Sequence, residues 1–179
     1  MGFGSGAVCS INLNTALTPE QRVRYQDPDI IRNLLDTCRT IALVGLSADR
    51  QKASYFVASY LRYEGYRVIP VNPRGGEILG EHVYPDLLSI PDRVDLVDVF
   101  RPASECLSLV DQAIAIRAKA VWTQLRIIDF EAAERALAAG LKVVMDKCVK
   151  MEHGRYDGSL HWAGMNTEII TARKPLRAR

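Results

Sequence analysis

The 179-residue sequence has no long apolar run, no paired cysteines and no strong excess of charge. No segment approaches the roughly 18 consecutive apolar residues that a membrane-spanning helix needs. Residues 1–10 lack the basic start and apolar centre of a secretory leader. The net charge of +2 and the charged content of 25% indicate no nucleic-acid partner. We therefore expect a cytoplasmic protein that binds neither membrane nor nucleic acid.

The sequence also shows no arrangement of residues typical of a metal or catalytic centre. Its cysteines are scattered without paired spacing, which suits a reducing compartment. Cys148 and His153 are too isolated to indicate a metal site. No Ser-His-Asp series, Cys-His series or pair of catalytic carboxylates stands out. We therefore predict no metal and no catalytic residue, which favours a binding module over an enzyme.

The order of local patterns predicts one α/β domain. Apolar runs ended by turn residues predict strands at 41–44, 66–71, 94–99, 120–123 and 142–145. Amphipathic helices alternate with them, beginning at the caps Asp27 and Ser104, near Ala53 or Ser54 and at about Asp129. A hairpin is predicted around Gly80 and a short helical turn at 85–89. Right-handed crossovers then give a Rossmann-like, doubly wound parallel sheet of about five strands in three α/β/α layers, in the order 3-2-1-4-5.

The chain divides into three predicted parts. Residues 1–26, rich in Gly, Ser, Asn and Thr, are predicted to be a flexible N-terminal arm. Residues 27–153 form the Rossmann-like domain. Residues 154–179 are a C-terminal extension that ends in a small basic tail.

The first strand-to-helix turn, in the stretch 41–54, predicts a phosphate-binding position. A helix that starts at the carboxyl edge of the sheet presents unpaired N–H groups and the positive end of its dipole, and Arg50 and Lys52 add charge. The turn is not the dinucleotide pattern G-x-G-x-x-G, because Ser47 and Arg50 replace the second and third glycines. It is not a P-loop, because Gln51 precedes Lys52. An ordinary turn with solvated cations is the alternative interpretation.

Further candidate ligand-binding residues follow the other strands at the same carboxyl edge of the sheet. Asn72, Pro73 and Arg74 come after the second strand, where a NAD-binding fold places an acidic residue for the ribose. Asn72 and Arg74 suit an adenosine phosphate instead, although the segment is equally compatible with an ordinary loop. Trp122 and Phe100 are either core aromatics or flank an adenine or a pantetheine arm. The cations at this edge favour an anionic ligand.

Five runs of the sequence resemble, in order and spacing, the CoA-binding domain of small bacterial proteins. The runs are VGLSADRQKAS, GYRVIPVNPRGGEILGEHVYPDL, VDLVDVFRP, AKAVWTQ and AGLKVVMDKCVKMEH. That family is related to the nucleotide-binding domain of the succinyl-CoA synthetase alpha subunit. The resemblance covers about residues 27–153. It implies that this region is a CoA-binding domain whose ligand is CoA or an acyl-CoA.

The resemblance also implies where the phosphates bind. They would lie at Ser47, Ala48 and Arg50, in the turn after the first strand. Lys52 or Arg74 would then lie near a terminal phosphate.

The remaining positions concern the arm and the thiol end of the ligand. The arm would pass Phe100 and Arg101, and Thr123 and Gln124 lie where the fourth strand of the family meets the ligand. The family usually has glycine soon afterward, where this chain has Arg126. The predicted cofactor-binding set is therefore Gly45, Ser47, Ala48, Arg50, Lys52, Asn72, Pro73, Arg74, Phe100, Arg101, Trp122, Thr123 and Gln124.

The synthetase activity does not follow from the resemblance. Its phosphohistidine lies in a further domain, and His82, His153 and His161 match no part of it. We therefore predict a CoA or acyl-CoA binding protein that is non-catalytic by itself. Two alternatives stay open: a subunit of an acyl-CoA ligase-type enzyme that needs a partner, and a dinucleotide-binding redox sensor. The missing acidic residue after the second strand disfavours the redox sensor.

Overall fold

In a computed structural model, described for residues 15–156, a five-stranded parallel sheet lies between two layers of helices. The strands are β1 (Thr40–Val44), β2 (Arg67–Val71), β3 (Glu77–Ile78), β4 (Glu81–His82), β5 (Leu96–Val99), β6 (Ala120–Thr123) and β7 (Lys142–Val144), of which β3 and β4 form a separate hairpin. The helices are α1 (Pro19–Tyr25), α2 (Pro28–Thr37), α3 (Ala53–Tyr63), α4 (Cys106–Ala115), α5 (Phe130–Ala138) and α6 (Val149–Tyr156). None of these helices is long and apolar enough to cross a membrane.

The sheet confirms the doubly wound α/β class but not the predicted strand order. Its order is β2-β1-β5-β6-β7, which is 2-1-3-4-5 in the numbering of the five predicted strands. The prediction 3-2-1-4-5 is wrong because the outer edge of β2 is already occupied. Tyr84 forms a parallel bridge with Val71, donates its N–H to Pro70 O at 3.0 Å and accepts one from Asn72 at 2.8 Å. Strand β5 therefore pairs with the other edge of β1.

The two faces of the sheet carry separate apolar cores. Ala42 and Val44 of β1 belong to the core beneath α4 and α5, whereas Ile41 and Leu43 belong to the core beneath α2, α3 and α6. The helix after β1 and the helix after β5 thus pack on opposite faces. In such a fold the ligand crevice opens between two neighbouring strands whose following helices pack on opposite faces of the sheet. The predicted order 3-2-1-4-5 would place it between the first and fourth strands, whereas the observed order places it between β1 and β5.

Local sequence signals explain the boundaries of several elements. Asp27 caps α2 by accepting the N–H of Asp29 at 2.8 Å, and Asp129 caps α5 by accepting that of Ala132 at 3.0 Å. Gly65 and Gly140 follow the ends of α3 and α5 with positive φ values, which are typical of residues that end helices.

The start of α4 differs from the prediction. Residues Ala103–Glu105 form a single 3₁₀ turn, α4 begins at Cys106, and Ser104 does not cap it. The buried face of α4 consists of Cys106, Leu109, Val110 and Ala113. The predicted helical turn at 85–89 is a series of bends and a turn.

Part of the predicted N-terminal arm is helical. Thr18 and Gln21 form a reciprocal capping box at the start of α1, which Pro19 opens. The segment is also tied to the domain, because Gln26 Nε2 donates to Met145 O at 2.9 Å and Thr15 Oγ1 donates to Asp146 Oδ2 at 2.7 Å. Order therefore begins before the predicted boundary at residue 27. Residues 1–14 of that arm lie outside the described residues.

Helix α6 crosses the predicted end of the domain at residue 153. It buries Glu152, His153 and Tyr156 against the α2–α3 layer. His153 Nδ1 lies 2.9 Å from the Tyr60 hydroxyl, and the His153 ring contacts the Tyr60 and Tyr66 rings edge to face. The predicted basic tail falls beyond residue 156, outside the described residues.

Candidate binding site at the carboxyl edge

Gly45 brings the turns after β1 and β5 into contact. Its φ is +90°, a left-handed conformation that favours glycine, and its N–H donates to Val71 O at 2.8 Å. A Cβ added there would lie 3.0 Å from Arg101 Cδ and 3.3 Å from the Phe100 carbonyl carbon. Any side chain at residue 45 would therefore push the two turns apart. Glycine is required at the centre of the crevice by both conformation and space.

The loop between Gly45 and α3 has a fixed shape. The Ser47 N–H donates to Ser54 Oγ at 3.2 Å, and Ser47 Oγ accepts the Asp49 N–H at 3.1 Å. Asp49 Oδ1 in turn accepts the Gln51 N–H at 2.9 Å. Ser47 thus stabilises the loop, in addition to any contact that it makes with a ligand. Ser54, which is buried, was missed from the sequence because its role depends on the turn closing onto the helix.

Helix α3 starts at this loop without a side-chain cap. Lys52 occupies the N-cap position and its side chain makes no capping hydrogen bond. The first N–H groups of a helix need partners, and the positive end of the dipole favours an anion there. The 11-residue helix therefore presents an open N-terminus at the carboxyl edge, as the sequence predicted.

Three cations near this helix start have exposed side chains without partners in the described part of the chain. Arg50, Lys52 and Arg74 form no side-chain hydrogen bond or ion pair with another residue of the described range. Arg101 is different, because its Nε and Nη2 donate to the two carboxylate oxygens of Glu105 at 2.8 and 2.6 Å. This pairing raises the pKa of Arg101 and lowers that of Glu105. The cationic set thus consists of three unpaired groups and one neutralised group.

Asn72 fastens the loop after β2 to the first turn. Its Nδ2 donates to Leu46 O at 2.9 Å, and its Oδ1 accepts the Arg74 N–H at 3.0 Å. The amide is therefore largely used within the protein, and its predicted role as a ligand contact stays a prediction. The same bonds hold Pro73 and Arg74 beside the β1 turn.

A cleft of about 290 Å³ adjoins these loops on the α4 side of the sheet. Its floor is apolar, with Val44, Val71 and Leu109, and polar groups of Asp86 and Gln112 lie at its rim. Gly45, Pro73 and Arg101 of the predicted set also line this cleft. An apolar floor with a few polar rim groups suits a flat, partly polar group such as a nucleoside.

Trp122 does not belong to the site. Its side chain is fully buried in the core beneath α2, α3 and α6, and its indole N–H donates to Lys147 O at 2.7 Å. It would have to leave the core to contact a ligand, so its inclusion in the predicted set is wrong. Phe100 packs against the same core but lies at the edge and stays partly exposed.

Thr123 and Gln124 are buried as well. Thr123 Oγ1 donates to Ile127 O at 2.6 Å and accepts the Asp146 N–H at 3.3 Å. Gln124 Nε2 donates to Asp98 Oδ1 at 2.8 Å. These bonds hold both side chains within the carboxyl edge of the sheet. That they contact a ligand directly stays a prediction.

Asp98 is a buried carboxyl that the sequence analysis did not single out. It is fully buried, its Oδ2 has no hydrogen-bond partner between residues 15 and 156, and burial raises its pKa to about 7. The available signal was an acidic residue at a core-facing position of a buried strand. Burial also raises the pKa of the nearby Cys148 thiol, which opposes activation of that cysteine as a nucleophile.

These features define a class of protein. The chain is a doubly wound α/β protein whose crevice joins a close glycine turn, an open helix start and unpaired cations. Such a combination is typical of sites for phosphate-bearing ligands.

Comparison with known proteins identifies the family. The model of the CoA binding domain family matches residues 39–154. The chain therefore belongs to the CoA-binding domain family. The uncharacterized protein YneT of Bacillus subtilis is 32% identical over 123 residues, which cover 69% of this chain and 91% of that protein. A solved structure of a hypothetical protein from Pyrococcus horikoshii OT3 is 40% identical with a TM-score of 0.70, covering 72% of this chain and 90% of that chain.

The family extends to much larger enzymes. The alpha subunit of an ADP-forming acetate–CoA ligase II from Pyrococcus furiosus is 40% identical over 65 residues. The match covers 36% of this chain and 14% of that subunit. This chain is therefore related to acyl-CoA ligase subunits through one domain, and it spans only a small part of their length.

Proposed function

We propose that this chain binds CoA or an acyl-CoA in the crevice between β1 and β5 and is non-catalytic by itself. The observation that carries the proposal is the open start of α3 beside Arg50, Lys52 and Arg74, cations whose side chains have no partner among residues 15–156. CoA bears a diphosphate and a 3′-phosphate, so it needs several positive groups within one site. Membership of the CoA-binding domain family supports the same ligand.

The geometry supports a distribution of roles. The diphosphate would lie over the turn at Ala48 and Arg50, since the neighbouring Ser47 N–H already donates to Ser54 Oγ. The adenosine suits the apolar cleft beside Pro73, and Lys52 or Arg74 would meet the 3′-phosphate. The pantetheine arm would then leave the cleft past Phe100 and Arg101.

A second candidate function is that of a domain or subunit in an acyl-CoA ligase-type enzyme. The similarity to acetate–CoA ligases favours it. In that case a partner would supply the catalytic groups. The dinucleotide-binding redox sensor has less support, because residues 72–76, which follow β2, contain no carboxylate for a ribose.

Replacement of single cations tests the site. Arg50→Ala, Lys52→Ala and Arg74→Ala should each weaken CoA binding, because a charge-assisted hydrogen bond contributes about 1.5–3 kcal/mol. The loss of one such contact should lower the affinity about ten- to a hundredfold, and added salt should reduce this difference by screening the charges. Calorimetry at two salt concentrations measures this. The variant that lacks the 3′-phosphate contact should show no further loss when dephospho-CoA is the ligand.

Arg93→Ala is the matched control for these variants. Arg93 is an exposed arginine that precedes β5, at the opposite edge of the sheet. Its removal should change the affinity by less than about twofold, since the Debye length at physiological salt is about 8 Å. The site would be wrongly placed if all three edge variants bound CoA like the parent protein.

A further inference from the structure

A tight turn projects beyond the carboxyl end of β6. The Ile127 N–H donates to Gln124 O at 3.1 Å, and Arg126 has a φ of +67°. Turns of this kind normally have glycine at that position, because its left-handed backbone is unfavourable for other residues. Two further bonds make the turn rigid: Thr123 Oγ1 to Ile127 O at 2.6 Å, and the Arg126 N–H to Asp146 Oδ1 at 2.6 Å.

The strained backbone is concentrated at this edge of the sheet. Four non-glycine residues of the described range have positive φ values: Leu79, Arg117, Arg126 and Asp146. Leu79 lies in the β3–β4 hairpin, and Arg117 follows the end of α4. Arg126 and Asp146 instead lie together and bond to each other at the carboxyl edge. Strained residues persist where the surrounding structure holds them, and they cluster at binding sites.

The Arg126 side chain is an uncommitted cation on this rigid support. It is exposed, and its guanidinium makes no hydrogen bond or ion pair with residues 15–156. The turn adjoins the crevice, because the Gln124 N–H donates to Val99 O, at the end of β5, at 3.3 Å. Neighbouring strands are about 4.8 Å apart, so the end of β6 lies about 10 Å from the β1 turn. A ligand arm that crosses β5 from the β1 turn therefore ends near Arg126.

We propose that Arg126 selects acyl-CoA ligands whose acyl group ends in a carboxylate. The proposal rests on the proposed function, because it assumes that CoA lies in the β1–β5 crevice with its thiol end toward β6. The Arg126 guanidinium at the end of that path would pair with the terminal carboxylate of the acyl group. An aliphatic acyl group would gain nothing from it.

Paired ligands test this selectivity in the full chain. Malonyl-, succinyl- and glutaryl-CoA are each compared by calorimetry with the acyl-CoA in which an isopropyl group replaces the terminal carboxylate. At least one carboxylate ligand should bind the parent protein about tenfold more tightly than its neutral partner, as expected for one charge-assisted contact. Arg126→Gln and Arg126→Gly should both reduce this ratio to about one, and Arg126→Lys should retain part of it.

Two controls separate selectivity from folding and from the choice of site. Arg126→Gly should melt no lower than the parent, because glycine relieves the left-handed backbone while keeping the N–H that bonds Asp146. Arg117→Gly makes the same backbone change at a remote position and should keep the parent ratio. A ratio near one for all three pairs in the parent, or a ratio that survives in Arg126→Gln, would overturn the inference while leaving CoA binding intact. If free CoA itself does not bind, the proposed function fails and the inference fails with it.

Discussion

Trp122→Ala should lower the free energy of unfolding by about 3–5 kcal/mol, the usual cost of truncating a large core aromatic. Trp122 is fully buried, and its indole N–H donates to Lys147 O, so the truncation leaves a cavity and removes this buried hydrogen bond. Urea unfolding of the parent and the variant measures the difference.

Trp122→Phe separates a core role from a ligand contact. It keeps most of the buried volume but loses the bond to Lys147 O, so it should be moderately destabilised. Its CoA affinity, measured below the temperature at which it unfolds, should stay within about twofold of the parent. A folded Trp122→Phe protein that loses more than about tenfold in CoA affinity would restore Trp122 to the site.

Asp98→Asn should make stability less dependent on pH. Burial raises the pKa of Asp98 from 3.8 to about 7 in the folded protein. The folded state then holds more protons than the unfolded state between these two pH values, so the parent loses stability as the pH rises through this window and remains penalised above it. Each unit of pKa corresponds to about 1.4 kcal/mol, so Asp98→Asn should gain a few kcal/mol on the parent between pH 4 and pH 8. Gln124 can still donate to the side-chain oxygen of the introduced amide.

Asp86→Asn provides a control of opposite sign. Hydrogen bonds from the side chain and backbone of Ser89 lower the pKa of Asp86. The parent should therefore lose stability relative to Asp86→Asn as the pH falls, and only slightly because the group is exposed. Urea unfolding at pH 4.5, 6 and 8 measures the difference for Asp98→Asn, and unfolding at pH 3, below the ordinary Asp86 pKa of 3.8, measures the difference for Asp86→Asn. A stability difference between Asp98→Asn and the parent that stays constant with pH would show that Asp98 is not a buried, titrating group.

The elements with strong local signals were predictable from the sequence. The Asp27–Pro28 pair marks the start of α2, and Gly65 marks the end of α3. Both signals are local, because each depends on the residues at the helix end itself. The run 120–123, predicted as a strand, coincides with β6, because it is a short apolar segment between the polar residues Lys119 and Gln124. The glycine turn, with Arg50 and Lys52 at an open helix start, was also predictable, since its position follows from the β1–α3 order alone.

The remaining features depend on contacts between distant residues. The strand order follows from the bridge between Tyr84 and Val71, which no local pattern indicates. Helix α6 has little apolar periodicity because its buried face includes Glu152 and His153, whose partners include Lys147 and Tyr60 outside the helix. The face on which Trp122 lies follows from its register with Asp98 on β5 and Val144 on β7.

The most direct test of the account is calorimetry of the purified chain with CoA and with NAD under the same conditions. We expect CoA to bind and NAD to bind much more weakly, because the site has several cations without partners among residues 15–156 but neither the three-glycine turn nor an acidic residue after β2. Salt should weaken CoA binding, as expected for a ligand held by charge. Tighter binding of NAD than of CoA, or no binding of CoA at any salt concentration, would contradict the central claim.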